Sequence, residues 1–113
     1  MATFEKLKYD IPPYQEGNES DFVFEVDENF PIEDVLDITF QVRLSSGSSF
    51  ISKTMSEGGI SLNQRTIRIE ILPGDTLGKS GVHVYEIDFK NNKGNPFATI
   101  GGTFTVNKQI NTL

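Results

Sequence analysis

The sequence predicts an all-β sandwich, and three observations carry that prediction. Apolar residues recur with a period of two, turn-forming clusters separate those runs, and no segment keeps a helical period long enough to build a helix. Successive side chains of a strand point to opposite faces, so alternation marks a segment with one buried and one exposed side.

Taken in order, segment 7–11 reads as a weak strand that Pro12-Pro13 bends or ends, because proline has no N–H to give to a ladder. Phe22, Phe24 and Val26 alternate with Val23 and Glu25. Ile38, Phe40, Val42 and Leu44 alternate with Thr39, Gln41 and Arg43, and both sets gather their largest side chains on one face. Segment 50–54 is a second weak strand. Ile67, Ile69 and Ile71 alternate with Thr66, Arg68 and Glu70, and their branched side chains fit a pleated sheet better than a helix. From Val82 onward, His83, Tyr85, Ile87 and Phe89 share one face, while Glu86 and Asp88 look toward solvent or a partner. A third weak strand covers 96–100. Gly101-Gly102 is then expected to bend or bulge the chain into a last strand marked by Phe104 and Val106.

Turn chemistry falls between these runs, at Glu16-Gly17-Asn18, Asp27-Glu28-Asn29, the serines around Gly47, Glu57-Gly58-Gly59, Lys79-Ser80-Gly81 and the hairpin-like stretch 91–96. Segments 31–37 and 73–77 are each long enough for one helical turn and no more. The tally is seven or eight strands, which suits an immunoglobulin-like antiparallel β-sandwich.

With 113 residues, the chain has material for one core and none for a second. It has no cysteine, so no disulfide or thiolate metal site is available. No 18-residue apolar stretch and no basic-then-apolar leader is present, so the product is expected to be cytosolic when made and no membrane partner is expected. A net charge of −6 disfavours nucleic acid, whose phosphates need clustered bases. The charge is uneven: residues 1–40 carry 11 acidic and 2 basic side chains, residues 41–113 carry 5 and 8. That asymmetry is read first as a solvated acidic region, and second as a means of steering one copy onto another.

Catalytic chemistry finds few footholds. The single histidine, His83, sits on an apolar face, where a packed imidazole is far commoner than a catalyst. No serine stands in a Gly-x-Ser-x-Gly setting. Asp21, Glu25, Asp27, Glu28, Glu33 and Asp34 would suit a hard cation, yet their spacing matches no EF-hand loop, so a solvated acidic edge is the reading adopted and no metal or cofactor is expected. Gly101-Gly102 precedes a strand and not a helix, so it is no phosphate loop. Faces carrying Thr103 and Thr105, or Glu86 and Asp88, are the places where side chains or an edge could meet a partner.

The C-terminal half has a recognisable order of motifs. Ile69-Glu70-Ile71-Leu72-Pro73-Gly74-Asp75-Thr76 is followed by Gly81-Val82-His83-Val84-Tyr85-Glu86-Ile87-Asp88-Phe89, then Lys93-Gly94-Asn95, then Gly102-Thr103-Phe104-Thr105-Val106. In the first half, Gly17-Asn18 precedes the strand at Phe22, and Pro31-Ile32 leads into the strand at Ile38. This pattern resembles the small immunoglobulin-like domains of tailed-bacteriophage virions, including those similar to the N-terminal domain of upper-baseplate proteins. His83 stands where an aromatic is usual and Asn18 where aspartate is common. The resemblance spans about residues 14–107 and implies a structural domain with no catalytic residues. It implies an N-terminal arm or edge strand at 1–13, a sandwich at 14–107 and a C-terminal tail at 108–113, with arm and tail reaching neighbouring subunits. The implied function is that of a non-enzymatic virion protein, in the capsid or head fibre or in the tail or baseplate, with other virion proteins and copies of itself as partners. The alternative is a carbohydrate- or receptor-binding module using Tyr9, Tyr14 and the loop 45–49. The lack of tryptophan for sugar stacking counts against that alternative.

Overall fold

A computed structural model describes residues 11–44 and 47–108, together with the main chain of residues 7 and 8. Nine strands follow one another among these residues: β1 (Leu7–Lys8), β2 (Ile11–Gln15), β3 (Phe22–Glu25), β4 (Asp37–Arg43), β5 (Ser49–Thr54), β6 (Ile60–Asn63), β7 (Thr66–Ile69), β8 (Gly81–Lys90) and β9 (Pro96–Asn107). They form two sheets. The larger has the order β1-β9-β8-β4-β5, with β2 also on β9, and the smaller is β3-β7-β6. Packed together they make a β-sandwich.

The alternating runs supply its core. Ile38, Phe40 and Val42 of β4 lie in register with Phe89, Ile87 and Tyr85 of β8, so three layers of large side chains leave the sheet on the same side. Phe104 and Val106 extend this surface along β9, and Ile67, Ile69 and Phe22 of the smaller sheet close over it. Phe40, Phe89, Phe104 and the isoleucines at 38, 67, 69, 71 and 87 are fully buried. Truncating such a residue to alanine typically costs about 2–5 kcal/mol.

Both expected helical turns are present, a 3-10 turn at Ile32–Asp34 and α1 at Pro73–Thr76. Asp75 Oδ2 accepts the Leu72 N–H at 2.7 Å, so the side chain closes the start of α1. The hairpin between β8 and β9 is tied by Asn91, whose Oδ1 accepts the N–H groups of Lys93 (2.9 Å) and Asn95 (3.2 Å), while Gly94 supplies the left-handed residue at φ 77°.

Four details differ from the expectation. Gly101-Gly102 neither bends nor bulges the chain: β9 runs through it, with Tyr85 opposite Gly102 and Glu86 opposite Gly101 in unbroken register. Gly102 is half-buried and shares its side of the sheet with Tyr85. The register shift lies instead between Phe89 and Lys90. Pro12-Pro13 interrupts the ladder, since the register shifts between Ile11 and Tyr14, but it lies inside β2 and does not end the strand; an edge strand tolerates the missing donors. The sandwich is not wholly antiparallel, since β1 and β2 both pair with β9 in parallel. Last, β6 carries only Ile60 and Leu62 as large apolar residues, too short an alternation to stand out.

Candidate docking surfaces

His83 occupies the apolar face that its position in the β8 alternation predicts. Its Nε2 lies 2.7 Å from the Lys79 carbonyl, which can only accept, so that nitrogen carries the proton. Phe50 meets the imidazole edge-on at 4.7 Å, and the Lys79 ammonium stands 5.8 Å from the Phe50 ring centre. The imidazole is thus engaged by packing and by a main-chain bond, and no acid or hydroxyl is bonded to it among the described residues.

The acidic residues of the first half do not converge. Asp21 pairs with Arg68 at 3.2 Å. Asp27 Oδ1 accepts the Asn29 N–H at 2.9 Å and so shapes its own turn. Glu33 and Asp34 are exposed on the 3-10 turn. Among the described residues no three acidic, histidine or cysteine side chains gather into a group that could hold a metal ion.

Tyr14 is no exposed platform. It is buried, stacked on Phe104 with ring centres 5.1 Å apart and planes 16° apart. Desolvation, with a smaller contribution from the Asp21 charge, pushes its phenol up to about 12. Its place in β2, in register with Val106, turns the ring inward. Tyr9, Ser45 and Ser46, the other residues considered for ligand contact, lie outside the described residues; Ser48 and Ser49 are exposed.

What the fold does display is a sheet face and several free edges. Rows across the outside of the larger sheet read Thr105 and Val82; then Thr103, Val84 and Arg43; then Gly101, Glu86 and Gln41; then Thr99, Asp88 and Thr39. Asp88 accepts the Thr99 hydroxyl at 2.7 Å, and Gln41 accepts from the Arg43 guanidinium at 3.1 Å. Val82 and Val84 are 66% and 56% exposed on the central strand of this sheet, at the end where β4 stops. Covering each would stabilise a docked state by about 1–2 kcal/mol. These two valines escaped the sequence reading, which followed the charges of β8 outward; the same alternation that sends Glu86 out sends them out too. Among the described residues, β5 pairs only with β4, and β3 and β6 pair only with β7, so three strands keep one free edge each.

No family model and no curated protein matches this chain.

Proposed function

We propose that this chain is a non-enzymatic structural protein of a tailed-bacteriophage virion, present in many copies as a capsid-associated, tail or baseplate component, and working by docking onto neighbouring subunits. The observation that carries the docking part is the outward face of β8, where two exposed valines sit beside threonines on the central strand of the larger sheet, at the end where β4 stops. The engagement of His83 by Phe50 and the Lys79 carbonyl supports a role without chemistry. The order of turn and core motifs from Ile69 to Val106 supports the virion setting. The burial of Tyr14 weighs against the carbohydrate-binding alternative, which needs that ring in solvent.

The test is mass spectrometry of purified virus particles from the source. Peptides of this chain at a fixed ratio to the major capsid protein are expected. Their absence from particles would overturn the reading.

A further inference from the structure

We propose that the free edge of β3 accepts a fourth strand of the smaller sheet, supplied by a different protein as an extended segment whose outward side chains read cation, β-branched residue, cation. The inference rests on the docking reading and names the partner's chemistry. The main chain comes first. Ser20 N–H donates to the Ile71 carbonyl (3.2 Å) and Val26 N–H to the Arg65 carbonyl (3.0 Å), in the same register that pairs Phe22 with Ile69 and Phe24 with Ile67. In an antiparallel ladder the residues between such pairs turn their N–H and C=O away. Asp21, Val23 and Glu25 therefore aim their main-chain groups at the open side, where no described residue pairs with them. Water satisfies such a row in the free chain, and an extended backbone is the protein partner that matches its spacing.

There is room for it. A groove of about 560 Å³ runs between β2 and the stretch 20–23. The opposite wall is a poor template for a strand, because Pro12 and Pro13 have no N–H to donate. Side chains set the chemistry. Asp21, Val23 and Glu25 point to the outer face of the sheet, and Val23 is 43% exposed. A strand added beside them places its own outer-face side chains opposite these three, so cations face Asp21 and Glu25 and a β-branched residue faces Val23. Arg68 already approaches Asp21 from the β7 side, which leaves Glu25 as the stronger attractor. Among the described residues, the other free edges do not offer such a segment: β6 has no cation, and the one cation of β5, Lys53, is paired with Asp75 at 2.9 Å.

The experiment uses the full chain, labelled with nitrogen-15, and two blocked synthetic peptides, GKVTVKG and GEVTVEG, at up to about 5 mM, several times a millimolar Kd. With the lysine peptide, amide exchange of Val23 and Glu25 is expected to slow about fivefold or more while β5 and β6 amides are unchanged, and the glutamate peptide is expected to bind about tenfold more weakly. Val23→Pro removes an outward N–H without touching the β7 ladder and is expected to abolish the effect. Should that variant not fold, Glu25→Lys, at an exposed position, is expected to shift preference toward the glutamate peptide. The proposal is overturned if the lysine peptide leaves these amides unaffected, if both peptides act equally, or if the amides are already slow in the free chain, which would mean that the chain or a second copy fills the edge itself. Finding the chain in particles with an unresponsive edge would reject this inference and leave the docking reading standing.

Discussion

Tyr14 shows how much one residue's surroundings decide. A phenol ordinarily titrates near 10. Packed on Phe104 and near Asp21, it is held up to about 12. A group whose folded value is raised contributes stability that is fully present below its unfolded value and is lost as pH rises through the folded one. The fold is therefore expected to weaken between about pH 10 and pH 12, and Tyr14→Phe, which keeps the stack but cannot ionise, is expected to lose less stability over that window. Urea midpoints of both proteins across the window check this, and parallel curves would refute it. Tyr14→Ala removes the stacked ring itself and is expected to cost about 3 kcal/mol. A loss of glycan binding in that variant would then report unfolding and not a lost contact.

At the scale of elements, the short connections matter beyond their length. Thr76, in α1, is fully buried, and its Oγ1 accepts the Gly17 N–H at 2.9 Å, joining the turn after β7 to the turn after β2. Thr76→Val keeps the shape and orphans that N–H, so a loss of about 1–2 kcal/mol is expected, read as a lower thermal midpoint. A result within error of the parent would mean that water replaces the hydroxyl. The strands were legible where one face is apolar over several residues: the β4, β7 and β8 alternations place Ile38, Phe40, Ile67, Tyr85 and Phe89 inside, and all five are buried. Legibility failed where local chemistry and tertiary context disagree. Proline normally ends a strand, yet β2 lies at an edge and accommodates two. A glycine pair normally marks a bulge, yet Gly102 faces Tyr85 across a straight ladder. Gly102→Val adds a branched side chain opposite Tyr85 and is expected to destabilise by about 1–3 kcal/mol through overpacking, and a denaturation curve that leaves stability unchanged would mean that the site has room. For the surface, sequence reasoning looked to charges and to Tyr14, whereas exposure falls on Val82 and Val84, because a polar face and an apolar one share the same period.

For the whole molecule, the uneven charge is partly satisfied within one copy. Arg68 reaches back to Asp21, and Arg65 donates to the carbonyls of Asp27 (2.6 Å) and Phe30 (3.0 Å), so cations of the second half brace the acidic first half. The Arg65 bonds go to main-chain carbonyls and neutralise no carboxylate, so apolar contact on the proposed docking face acts beside that charge. This gives the outward valines of β8 a separable role. They are more than half exposed, so replacing both with lysine removes no core packing, and with Arg43 opposite residue 84 the cost is expected to stay at about 1 kcal/mol per site or less. The same double variant, Val82→Lys with Val84→Lys, would place two charges in a desolvated contact, and burying an unpaired charge costs several kcal/mol. Complementing a virus that lacks the parent gene with the double variant is therefore expected to yield folded protein in the lysate and at least about tenfold less of it in purified particles. Normal incorporation would remove this face from the docking mechanism and leave the free edges of β3, β5 and β6 to perform it.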